Sequence, residues 1–115
     1  MQTEYADSEP LRADVDARPG PQLLEFGSPD CGHCRRAQPL IAAALATAAA
    51  ELTHTKVADG PGLALGRSFR VKLWPTLVFL RDGVELARVV RPQSADEIQA
   101  GLRRISRSRC RATPP

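Results

Sequence analysis

Residues 23–34 read Leu23-Leu24-Glu25-Phe26-Gly27-Ser28-Pro29-Asp30-Cys31-Gly32-His33-Cys34, and this stretch decides the fold. Gln22 to Phe26 is a short apolar run that fits a buried central strand, interrupted by Glu25. Gly27-Ser28-Pro29-Asp30 forms a loop, and Cys31 opens a helical region expected to reach Ala50. Pro39 lies inside that region and kinks it, because proline supplies no N–H and its ring clashes with the carbonyl four residues back. Two cysteines spaced C-x-x-C thus stand where a buried strand gives way to a helix, and there unpaired backbone N–H groups and the helix dipole favour a thiolate.

Beyond Pro39, Leu40, Ile41, Ala44, Leu45 and Ala48 make a stripe suited to packing on a sheet. Leu52 to Ala58 is a second strand, Asp59-Gly60-Pro61-Gly62 a turn, and Leu63 to Phe69 a short helix. Val71 to Trp74 leads into Pro75. Thr76 to Leu80 and Val84 to Val90 then flank Asp82-Gly83, a hairpin signal that makes these strands antiparallel neighbours. Ser94 and Glu97 form a capping box before a last helix whose inward face carries Ala95, Ile98, Leu102 and Ile105. Toward the N-terminus, Leu11 and Val15 sit four apart on a short helix from Pro10 to Ala17 with Pro10 in its first turn, Thr3 to Ala6 offers a short strand, and Arg18-Pro19-Gly20-Pro21 breaks the chain. This order implies an α/β fold, a central mixed sheet of four or five strands with helices on both faces. Residues 1–105 make one domain with an irregular start over 1–21, and 106–115 a basic, flexible tail.

The composition, 43 % apolar and 25 % charged, is globular, and 115 residues suit one modest core. The first ten residues have neither a basic n-region nor an apolar h-region, and the longest alanine-rich run, Ala42 to Ala50, is about half a membrane span. A cytoplasmic monomer without membrane partners is the expectation. The net charge of +3 is uneven: residues 1–20 carry five acids against two arginines, whereas Arg103, Arg104, Arg107, Arg109 and Arg111 stand in the last fifteen residues without an acid. A basic tail is weaker evidence for nucleic acid than a basic face would be, so nucleic acid is not expected as a partner. No glycine-rich phosphate motif is present.

Three cysteines cannot close a set of intrachain disulfides, so Cys31 and Cys34 read as a chemical pair and Cys110 as a free tail thiol. A closed zinc site needs four ligands, and Cys110, His33 and His54 are scattered candidates, so neither metal nor cofactor is expected. A structural disulfide spanning two residues gains little from closure. Cys31, at the helix start, is assigned as attacking nucleophile and Cys34 as resolving thiol. Gly32 permits close approach of a partner chain, and a charged His33 would stabilise the Cys31 thiolate. Asp30 would oppose it. His54 reads as a surface strand residue.

From about Leu11 to Leu102 the sequence resembles the thioredoxin family. Leu23 to Phe26 with Cys31-Gly32-His33-Cys34 resembles its central strand and active-site loop, Pro39 its helix-kinking proline, Trp74-Pro75-Thr76 its cis-proline segment and Asp82-Gly83 its last hairpin turn. The resemblance implies that Pro75 is cis, leaving the Trp74 carbonyl and N–H free for an extended substrate. It implies further that Glu25 moves a proton to or from Cys34 and that Lys56 partners that acid; the alternatives are a salt-bridged or hydrated Glu25 and a solvated Lys56. Cys-Gly-His-Cys is similar to the protein disulfide isomerase centre, and the aromatic residues that commonly precede the first cysteine are replaced by Gly27 and by Pro29-Asp30. Trp74 is unusually bulky before the proline, in the core or as a lid over the dithiol. Arg91 replaces a groove glycine, which narrows the groove and makes it basic. The function implied is reduction of disulfide-containing client proteins, with regeneration by a thioredoxin-reductase-like protein or a small thiol. The alternatives are a specialised disulfide oxidant or isomerase and a binding or chaperone module on the same fold.

Overall fold

The computed structural model describes residues 4–6 and 8–106. The sheet has the order β2-β1-β3-β4, in which β1 (Pro21–Gly27) runs parallel to β2 (Thr53–Ala58) and antiparallel to β3 (Thr76–Arg81), and β4 (Val84–Val90) pairs antiparallel with β3. Helices α1 (Arg12–Ala17) and α3 (Ala64–Ser68) cover one face, and α2 (Gly32–Leu45) and α4 (Ala95–Ser106) the other. The expected α/β architecture is therefore present, with four strands among the described residues.

Every residue of β1 is buried, so its side chains divide between two cores by the two-residue period of a strand. Leu24 and Phe26 pack with Val78 and Leu80 toward Val15, Leu65 and Phe69, whereas Leu23 packs with Leu77 and Phe79 toward Ala37, Ile41, Ala44, Ile98 and Ile105. The same alternation turns Glu25 toward α2. In the parallel register Leu23 lies opposite His54 and Glu25 opposite Lys56, which puts both β2 side chains on that face as well.

Local chemistry sets the element ends. Asp82 and Gly83 have φ of 52° and 81°, the pair of left-handed residues that a two-residue hairpin needs. A Cβ at Gly83 would also collide with the Asp16 carbonyl oxygen. The Glu97 carboxylate accepts the Ser94 and Gln93 N–H groups at 3.0 and 2.7 Å, the expected carboxylate half of the capping box. Arg81 donates to the Ile105 carbonyl at 2.7 Å, a cation at a helix C-terminus.

Three expectations from the sequence are corrected. α2 ends at Leu45 instead of Ala50: the Thr47 hydroxyl turns back on the Ala44 carbonyl, and the chain swings round to enter β2. α1 begins at Arg12, which leaves Pro10 outside it and Leu11 exposed as its N-cap, so Val15 alone of that pair faces the core. Residues 4–6 form no strand; the Ala6 N–H bonded to the Lys56 carbonyl at 2.9 Å ties them to β2. Thr3, Cys110 and the arginines beyond residue 106 lie outside the described residues.

Candidate active site

Cys31 is the N-cap of α2. Its backbone is extended (φ −90°, ψ 119°), and its Sγ accepts the Cys34 N–H at 3.2 Å, taking up one of the donors a helix start leaves unpaired. Burial pushes the Cys31 thiol up. Hydrogen bonds from the Cys34 thiol and from the Cys34 and His33 backbone, together with the Arg91 charge, more than reverse this and hold Cys31 below its ordinary value. Cys34, one turn on, is buried. Burial, the hydrogen bond with Cys31 and the Cys31 charge push its thiol up to about 11, against the opposing bonds from Ser28 and Tyr5. Both cysteines are free thiols, one half-exposed and one buried.

The surroundings of His33 disfavour the charge that would stabilise the Cys31 thiolate. Arg36 approaches its Nδ1 at 2.9 Å, and since a guanidinium has only donors, that nitrogen accepts and the proton stands on Nε2. The Arg91 charge, desolvation and the Arg36 charge lower the His33 pKa, so the imidazole is neutral at neutral pH.

Behind Cys34 lies a buried polar cluster. Glu25 is 1 % exposed; its Oε1 pairs with His54 Nε2 at 2.9 Å and its Oε2 accepts from Gln38 Nε2 at 2.8 Å. Gln38 also donates to the Cys34 carbonyl at 3.0 Å and accepts from Lys56 Nζ at 3.2 Å, while Lys56 Nζ stands 4.0 Å from Glu25 Oε2. The amide is oriented by its neighbours, oxygen toward the ammonium and nitrogen toward the carboxylate. Glu25 and Lys56 are brought together and both are buried, so neither is hydrated, and Glu25 is salt-bridged to His54 and Lys56, the other alternative the sequence left open. His54 is corrected: its side chain is 4 % exposed, so it belongs to the interior. Gln38 escaped the sequence reading, although its spacing of four from Cys34 puts both on one helix face.

Tyr5 escaped it too. A Cβ at Gly27 would stand 2.7 Å from Cys34 Sγ and 3.0 Å from the Tyr5 hydroxyl, so the absent side chain leaves room for a phenol from the N-terminal segment. Tyr5 hydrogen-bonds the Cys34 thiol, and Lys56 Nζ sits 4.6 Å from its ring centroid. Burial and the neighbouring Cys34 and Glu25 charges raise the Tyr5 pKa, keeping it a protonated donor. The signal available was a lone aromatic in a polar stretch, whose partner is 29 residues away.

The other wall is Trp74-Pro75-Thr76. The Trp74–Pro75 peptide bond is cis, and the Thr76 hydroxyl donates to the Leu73 carbonyl. Trp74 is not part of either core cluster: it is half-buried, and its indole N–H donates to Asp59 Oδ2 at 2.9 Å, in the loop after β2. Its carbonyl is not free, because Arg91 Nε donates to it at 2.9 Å. Gly32 is half-buried, with only the ends of the Arg35 and Arg36 side chains near the place of a Cβ. Among the described residues no group of three or more His, Cys, Asp or Glu side chains is disposed to hold a metal ion, and no helix is long and apolar enough to cross a membrane.

Comparison with known proteins agrees with this geometry. The thioredoxin family model matches residues 2–104. Thioredoxin 2 from Pseudomonas aeruginosa PAO1, solved in its reduced form, is 55 % identical with a TM-score of 0.76 over 87 % of this chain and 92 % of that one. Thioredoxin of Mycobacterium bovis is 30 % identical over 77 residues, 67 % of this chain and 66 % of that protein. Protein disulfide-isomerase A3 of Gallus gallus is 34 % identical over 101 residues, 88 % of this chain but 20 % of that protein's length.

Proposed function

Because this chain belongs to the thioredoxin family and its Cys31–Cys34 pair carries the family's thiol-disulfide exchange, we propose that it reduces disulfides in client proteins, with Cys31 as nucleophile and Cys34 as resolving thiol. One observation carries the assignment: within a single helical turn the accessible thiol is held below its ordinary pKa and the buried one is pushed up to about 11. Of the two thiols, Cys31 is therefore the first to ionise.

The Cys31 thiolate attacks one sulfur of the client disulfide, and the other client sulfur leaves as a thiolate that takes a proton. Cys34 then loses its proton and attacks the Cys31 sulfur of the mixed disulfide. The second client thiol departs, and the two electrons gained by the client are those lost on forming the Cys31–Cys34 disulfide. Glu25 is the base for Cys34 in this scheme. It lies one hydrogen-bonded side chain, Gln38, from the Cys34 carbonyl, and Lys56 and His54 flank it. A thioredoxin-reductase-like protein or a small thiol restores the dithiol.

A second reading, oxidation or isomerisation of disulfides, is favoured by the Cys-Gly-His-Cys centre and by the likeness to protein disulfide-isomerases. The equilibrium potential of Cys31/Cys34 in a glutathione buffer, with C110S to remove the third thiol, separates the two. A value toward about −270 mV supports the reductase, one near about −180 mV supports the isomerase, and no reversible couple overturns both. In the same experiment C34S should accumulate mixed disulfide on Cys31, whereas C31S should accumulate none.

A further inference from the structure

The groove beside Cys31 contains an arginine that is fixed but has no acid. Arg91 follows the last residue of β4 with φ of 52°, in the left-handed region that favours glycine. Two bonds hold it there: its backbone N–H donates to the Pro75 carbonyl and its Nε to the Trp74 carbonyl, both at 2.9 Å. With Nε engaged, the Nη1 and Nη2 edge of the guanidinium remains for another partner, and no carboxylate pairs with it among the described residues. Arg91 is exposed; Phe26, Thr76 and Val90 lie side by side in the sheet register, so Arg91 stands at the sheet end where β1 leads into the Cys31 loop, and its charge acts on both Cys31 and His33. His33, on which this charge acts, is itself bonded to Arg36, so a second guanidinium stands beside the dithiol. A guanidinium held by its own chain loses little freedom on binding, and its free edge matches a carboxylate in bidentate geometry.

We propose that Arg91 selects clients, taking the carboxylate of an Asp or Glu next to the client cysteine that Cys31 attacks. This rests on the reading that Cys31 exchanges with client disulfides. The arginine that stands where the resemblance expects a glycine thus supplies a preference for acidic client segments.

The test uses three peptide disulfides that differ only in the residue next to the attacked cysteine: Glu, Gln or Lys. Second-order rates with the reduced protein are divided by the rates of dithiothreitol with the same peptide, which cancels the effect of the neighbouring charge on the peptide's own sulfur. The corrected Glu/Gln ratio should be roughly two to five and should shrink in about 0.5 M salt, as for an exposed ion pair. In R91G, which suits the left-handed backbone, it should fall to about one. R91K should retain part of it. Because the Cys31 thiolate fraction cancels in the ratio, any change in Cys31 acidity on removing Arg91 does not imitate the effect. A ratio of one in the wild type, or one that survives in R91G, overturns the proposal while leaving disulfide reduction intact; failure to reduce any of the peptides overturns both.

Discussion

His54 Nε2 and Glu25 Oε1 meet at 2.9 Å with both side chains within 4 % of complete burial, so the acid behind the resolving cysteine is held from β2 by an imidazole. Removing one partner of a buried polar pair leaves the other desolvated and unsatisfied. His54→Ala is therefore expected to cost about 1–3 kcal/mol in urea denaturation. A change within about 0.5 kcal/mol, the range of ordinary surface substitutions, would show the pair to be energetically idle.

The Cys34 thiol, pushed up to about 11, ties the stability of the reduced protein to alkaline pH. Its folded pKa exceeds the unfolded value of about 8.5, so the folded chain keeps a proton that the unfolded chain has lost. The contribution is full below about pH 8.5 and is lost as pH rises toward 11. Cys31 has the opposite sign: its lowered pKa contributes above the unfolded value and is lost as pH falls through the folded one. Denaturation midpoints of the reduced protein should decline between about pH 8.5 and 11. The decline should be smaller in C34S; equal slopes would show that Cys34 titrates as it does unfolded.

Tyr5→Phe removes the hydroxyl that hydrogen-bonds Cys34 and keeps the ring under Lys56. The lost donor should raise the Cys34 pKa further and slow release of the mixed disulfide by roughly three- to tenfold, the equivalent of one hydrogen bond of about 0.5–1.5 kcal/mol. The first attack by Cys31 should change little. Rapid-quench separation of the two steps checks this, and equal slowing of both would point to a general disturbance of the site.

Gly27→Ala places a methyl 2.7 Å from Cys34 Sγ. Overpacking of this kind costs about 1–3 kcal/mol. The reduced protein should lose stability accordingly, and in the Y5F/G27A double variant the penalty should be smaller, since the phenol oxygen, 3.0 Å from the new methyl, is gone. Strict additivity would mean that the two positions do not share the space.

Much of the fold was legible because its signals are local. The apolar run at β1, the proline within α2, Asp82-Gly83 between two strands and Glu97 three residues after Ser94 each act on their own few residues, and each appears in the structure where the sequence places it. The dithiol was legible for the same reason. Glu25 stood out because a carboxylate inside an apolar strand needs a partner.

The order of elements, the α/β class and the pair of thiols at a helix start follow from period, turn chemistry and spacing, all of which are written in the chain's local order. Only the tertiary structure decided which side chains surround those thiols. His54 became interior because the parallel register of β1 and β2 turns it toward α2, and Tyr5 became a partner of Cys34 because Gly27 leaves the space. Arg91 closed on the Trp74 carbonyl because β4 ends beside the Trp74–Pro75 turn. Each of these contacts joins residues far apart in the chain, and no local preference encodes a meeting that depends on how strands pair and helices pack.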